Sequence, residues 1–141
     1  MINLIWMTIL VLSVSFPIVA KTPLNVGESL TYTNALYDYT LTLSEAQYIP
    51  QPEGTVLAVH FVLANRHQFA VSGSKYNFDI RSTINTQRVD CIPPFYVTVE
   101  QGDTKDGWLC YLMKKPEAVF LTYHHSTFDG NTGTWLVTPS K

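Results

Sequence analysis

The sequence predicts an all-β domain, a sandwich or barrel of seven to eight short antiparallel strands, behind an export segment. Three observations predict it. After Ala20 no stretch carries apolar residues at helical spacing over three turns, whereas period-two alternation recurs along the chain. Clusters of Gly, Pro, Asn and Asp interrupt that alternation at short intervals. Before it, 15 of the first 20 residues are apolar and none is Asp, Glu, Lys or Arg. The chain has 141 residues, one domain's worth.

Leu4 to Val19 is an almost unbroken apolar run that ends at Phe16-Pro17-Ile18-Val19-Ala20, with Lys21 next. A helix-breaking proline and then a small residue before polar chain is the pattern of a signal-peptide cleavage site. Residues 1–20 are therefore expected to be a signal peptide cut after Ala20, and residues 21–141 the folded domain. An uncleaved anchor would need about 20 apolar residues, which this run reaches only by counting Thr8, Ser13, Ser15 and Pro17. The expected location is periplasmic or extracellular, with no stable membrane insertion after cleavage.

In the first strand Tyr37, Tyr39, Leu41 and Leu43 alternate with Asp38, Thr40, Thr42 and Ser44, one face apolar and the other wet. Pro50, Pro52 and Gly54 make a turn. In Thr55 to Ala64, Leu57, Val59, Phe61 and Leu63 share one face and Val56, Ala58, His60 and Val62 the other; both are largely apolar, so this strand is expected at the centre of a sheet. Tyr76, Phe78 and Ile80 alternate with Asn77, Asp79 and Arg81. Phe95, Val97 and Val99 form a short strand that turns at Gln101-Gly102-Asp103. Trp108 to Met113 and Val119 to Tyr123 follow, then a turn at Asp129 to Gly133 and a last strand from Trp135 to Val137.

The order Val26-Gly27-Glu28, Ala64-Asn65, Tyr76 to Ile80, Val99 to Asp103, Gly107-Trp108-Leu109 and Ala118 to Tyr123 resembles a family of bacterial secreted immunoglobulin-like domains of unknown function. These domains occur in lipoproteins and small exported antigens. The resemblance spans Leu24 to Tyr123 and implies an immunoglobulin-like β-sandwich in an exported protein. It carries no catalytic residues to transfer, and a shared fold does not imply an activity. The chain departs from the family in having no cysteine near the cut, so lipid anchoring does not carry over, and in the extension from His124 to Lys141.

Cys91 and Cys110 are the only cysteines; an even count in an oxidising compartment predicts a disulfide. If Phe95–Val99 and Trp108–Leu112 formed a hairpin, Cys91 would not face Cys110, so Ile92-Pro93-Pro94 would have to turn the chain back. No metal site is expected: adjacent His124 and His125 on a strand face opposite ways, and His60 and His67 have no chelating partner in sequence. Asp129 and Asn131 lack the distal Glu of a calcium loop. No nucleophile elbow, phosphate loop or dinucleotide fingerprint is present, so no cofactor is expected.

The net charge of −2 argues against nucleic acid as a partner. Tyr96, Tyr111 and Phe120 fall opposite their strands' expected core residues and are candidates for an exposed binding patch. The leading expectation is a non-enzymatic module that binds a protein. An inhibitor or immunity-type protein acting through Asn65–Ser74 or Glu100–Gly107 is the alternative, and an uncharacterised hydrolase comes third.

Overall fold

The structure, a computed structural model, describes residues 22–126 and 132–140. The expected signal peptide and most of the expected turn at Asp129–Gly133 lie outside the described residues. Ten strands are described: β1 (Ser29–Thr33), β2 (Asp38–Gln51), β3 (Gly54–Asn65), β4 (Val71–Ser74), β5 (Phe78–Arg81), β6 (Thr86–Val89), β7 (Tyr96–Val99), β8 (Thr104–Met113), β9 (Val119–Tyr123) and β10 (Gly133–Val137). They form a five-stranded sheet β1-β2-β3-β8-β6, a three-stranded sheet β10-β9-β5 and a ribbon β4-β7. Every ladder between these strands is antiparallel.

The two larger sheets face one another. Phe61 of β3 lies with its ring 4.5 Å from Phe78 of β5 and 5.4 Å from Trp135 of β10. Tyr39, Leu41 and Leu43 pack inward from β2, as do Leu57, Val59, Phe61 and Leu63 from β3, against Val119, Leu121 and Tyr123 of β9. The fold is thus an all-β sandwich, and β3 is central, paired on both sides.

The register of β2 against β3 shifts between Leu43 and Glu45. One extra residue at such a bulge moves the inward set from odd to even positions. Beyond it Ala46 and Tyr48 turn toward the core, and the Tyr48 hydroxyl donates to the carbonyls of Glu117 (2.8 Å) and Val137 (3.2 Å).

Three strands absent from the sequence-based expectation, β1, β4 and β6, are short and largely polar. One expected strand also starts later. Lys75–Asn77 is a turn of 3-10 helix, because the Ser74 hydroxyl accepts from the Tyr76 N–H (3.3 Å) and the Asn77 carboxamide oxygen accepts from the Ser74 N–H (3.0 Å). Tyr76 is lifted out of the ladder and β5 begins at Phe78.

Candidate functional site

The site is built where β6 leaves the five-stranded sheet. Val89 lies opposite Cys110 in the β6–β8 ladder. Two residues later Cys91 is bonded to Cys110, with the Cα atoms 5.8 Å apart. Pro93 and Pro94 have no N–H to extend a ladder, and the chain crosses beside β8. There the Trp108 N–H donates to the Pro93 carbonyl (3.0 Å) and the Phe95 N–H donates to the Trp108 carbonyl (2.8 Å). Gly107 permits this approach: a Cβ there would sit 2.4 Å from the Pro94 carbonyl oxygen and 2.6 Å from the Phe95 Cα. This strap, Cys91–Phe95, answers the geometric question about the disulfide. β7 does not pair with β8 but with β4, and it is β6 that brings Cys91 to Cys110.

Between the strap, the end of β6, β8 and the Lys75–Asn77 turn lies a cleft of about 240 Å³. Its wall is Val89, Phe95, Leu109, Tyr111 and the disulfide; Tyr76, Tyr96 and Trp108 also line it. Tyr76 is 75% and Tyr96 78% exposed, and Ile92, in the strap, is 95% exposed. Contiguous apolar surface rimmed by polar residues marks interaction sites. Three charged residues line the cleft, Lys75, Arg88 and Asp90. The Lys75 ammonium stands 5.3 Å from the centroid of the Tyr76 ring, and an Arg88 Nη donates to the Phe78 carbonyl at 2.9 Å. None of the three belongs to an ion pair among the described residues, where the pairs are His60–Asp106, Arg66–Asp38, Lys115–Glu117 and His124–Asp79.

Of the three residues expected to form an exposed patch, only Tyr96 has that position. Tyr111 is corrected: it is 1% exposed and belongs to the core. Both faces of β8 are apolar, and the inner one carries Gly107, Leu109, Tyr111 and Met113. The Tyr111 hydroxyl is buried without a hydrogen-bond partner, and burial pushes its pKa up to about 12, against the nearby charge of Arg88. Phe120 is 40% exposed but lies on the three-stranded sheet, in a separate polar groove with Asp79, Arg81 and His124. Tyr96 and Tyr111 therefore meet at one cleft, as lining and as wall, and Phe120 stands apart. The sequence-based reading missed Tyr76, Lys75 and Arg88. The proline pair beside Cys91 was the available signal that chain folds back there.

The four histidines are spread over the fold. His124 Nε2 lies 2.9 Å from Asp79. His125 turns the other way, its Nδ1 2.6 Å from the Tyr39 hydroxyl and its ring stacked 4.3 Å from that of Tyr32. His60 bridges Asp106 (2.7 Å) and the Ser44 hydroxyl. These are the residue types of a hydrolytic triad. They sit, however, on the outer face of β2, β3 and β8, and none of them lines the cleft. The Ser44 hydroxyl also donates to the His60 carbonyl at 3.2 Å. The trio ties three strands together beside the bulge.

The two segments proposed for an inhibitor are largely held in the fold. Asn65, 1% exposed, donates to the carbonyls of Phe69 (2.8 Å) and Val99 (3.0 Å) and accepts from the His67 N–H (3.0 Å). The same segment ends in β4. In Glu100–Gly107 only Glu100–Asp103 is a turn, and Thr104–Gly107 already belong to β8.

No family model and no curated protein matches the chain. Solved structures that share its fold include two from Bacillus subtilis. The candidate lipoprotein ycdA of Bacillus subtilis superposes with a TM-score of 0.57 at 15% identity, over 79% of this chain. The chain spans 39% of that protein. The yjhA protein of Bacillus subtilis superposes with a TM-score of 0.56 at 16% identity, over 83% of this chain and 99% of the other. At these identities the likeness is one of fold.

Proposed function

We propose that the chain is an exported, non-enzymatic binding module, an immunoglobulin-like sandwich that recognises a protein partner through the cleft beside the disulfide. The observation that carries this reading is the exposure of Tyr76 and Tyr96 in the lining of an apolar cleft whose frame is fixed by a disulfide and by strand pairing, with Ile92 exposed on the adjoining strap. Binding energy concentrates in a few aromatic anchors seated near an apolar centre. The non-enzymatic reading goes with a lining made largely of apolar and aromatic side chains. Export is supported by the disulfide, which persists in oxidising compartments, and by the uncharged apolar segment at residues 1–20. A net charge of −2 speaks for a protein rather than a nucleic acid as partner.

Site-specific crosslinking tests this reading. A photo-crosslinking amino acid at position 96, with the protein exported in its own cell, should give a discrete adduct that the same group at exposed Gln68, outside the cleft, does not. Equal labelling at both positions, or none at 96 in a correctly folded protein, would remove the cleft as the recognition surface.

A further inference from the structure

We propose that the cleft grips its partner by a free carboxy-terminus, taking the apolar side chain of the last residue inside and holding the terminal carboxylate at the mouth with Lys75 and Arg88. This rests on the reading of the cleft as the recognition surface and adds the chemistry of what enters it.

The cavity of about 240 Å³ has room for one large side chain rather than a segment of chain. Its wall of Val89, Phe95, Leu109 and the disulfide calls for an apolar body. Lys75 and Arg88 are exposed residues of the lining, so a carboxylate held by them keeps contact with solvent. Among the described residues neither belongs to an ion pair, in a chain whose net charge is −2. An acidic side chain would carry its charge into the apolar part, where desolvation is costly. A carboxy-terminal apolar residue separates the two requirements by itself: its side chain fills the cavity and its carboxylate stays with the cations. The Arg88 fork, with one Nη engaged by the Phe78 carbonyl, keeps further N–H donors for a carboxylate. Asp90 at the same mouth provides an acceptor for a backbone N–H of the arriving chain. The exposed Tyr76, Ile92 and Tyr96 extend beyond the cavity, giving the preceding residues surface to lie on. That surplus favours a chain end over a free small acid.

Four probes decide the matter in titrations of the mature protein followed by the NMR signal of the Trp108 indole N–H. They are the acetylated tetrapeptide Gly-Ser-Gly-Phe with a free carboxylate, the same peptide amidated, the same peptide ending in Asp, and N-acetylphenylalanine. The free peptide should bind about tenfold tighter than its amide and tighter than the other two. Lys75→Gln and Arg88→Gln should each erase most of that advantage, and added salt should shrink it. Equal binding of acid and amide would overturn the carboxylate assignment, as would indifference to both substitutions. N-acetylphenylalanine binding as tightly as the peptide would make the occupant a small acid and overturn the chain-end assignment. Absence of any shift with all four probes, in a protein that still crosslinks through position 96, would sink this proposal and leave the recognition surface standing.

Discussion

Substituting phenylalanine for Tyr111 removes one oxygen from a side chain that is 1% exposed and whose hydroxyl meets no donor or acceptor. A buried polar group left unpaired costs about 1–3 kcal/mol of desolvation, and part of any gain is returned as the packing lost with the oxygen. Tyr111→Phe should therefore stabilise the domain by about 1 kcal/mol at pH 7, seen as a rise in Tm of about 3–5 °C for a domain of this size. Tyr123→Phe is the control. Its hydroxyl is also buried but lies 3.0 Å from that of Tyr39, so its loss should destabilise by about 1 kcal/mol. The pH dependence is a second test, and it moves both variants the same way, because burial pushes the Tyr123 hydroxyl up to about 12 as well. Burial holds the Tyr111 hydroxyl at a pKa of about 12 in the folded chain, against about 10 unfolded. A group raised in this way contributes fully below pH 10, and its contribution is lost as pH climbs from 10 to 12, by up to about 3 kcal/mol. The advantage of the Phe variant should thus widen above pH 10. Urea denaturation followed by circular dichroism at pH 7 and pH 11 measures all three proteins. A Tyr111→Phe protein less stable than the parent by 1 kcal/mol at pH 7 would refute the reasoning, because the hydroxyl would then have to be bonded in solution.

Gly107→Ala places a methyl 2.4 Å from the Pro94 carbonyl oxygen, and should cost several kcal/mol, since both contacts are backbone; an unchanged melting curve would mean the strap does not lie against β8. Replacing Cys91 and Cys110 with Ser opens a link between residues 19 apart in sequence and should lower the unfolding free energy by about 3 kcal/mol, read by chemical denaturation with and without reductant. Asn65→Ala removes the side-chain bonds to Phe69, Val99 and His67 at a buried position. It should cost about 2–4 kcal/mol, with faster amide exchange at His67. Tyr96→Ser, at a side chain 78% exposed, should leave the melting temperature within 2 °C or so while reducing partner capture.

What the sequence disclosed was phase where one face is wet. In β2 up to Leu43, threonines and Asp38 alternate with the inward residues, and the burial pattern follows that alternation. In β8 both faces are apolar, so period two alone cannot say which is inside. The choice falls to Gly107, which must face the strap, and Leu109, Tyr111 and Met113 follow it inward. The bulge after Leu43 and the polar strands β1, β4 and β6 are set by partners distant in sequence. The disulfide was legible from a count of two. The cleft was not, because Lys75, Tyr76, Arg88, Tyr96 and Trp108 come from four separate elements whose meeting is a tertiary event.

The two exposed rim tyrosines and the exposed Ile92 of the strap share one property. Tyr76 rides on a turn held by the side chains of Ser74 and Asn77, Ile92 on a strap held by a disulfide and two backbone hydrogen bonds, and Tyr96 on a strand paired with Ser74. In no case does the rim side chain hold its own backbone in place. Exchanging these side chains should therefore alter what is recognised without drawing on the stability of the sandwich. The same framework can carry many different rims, and relatives that have diverged in partner would be expected to differ first at positions 76, 92 and 96 while keeping the bridge and Gly107.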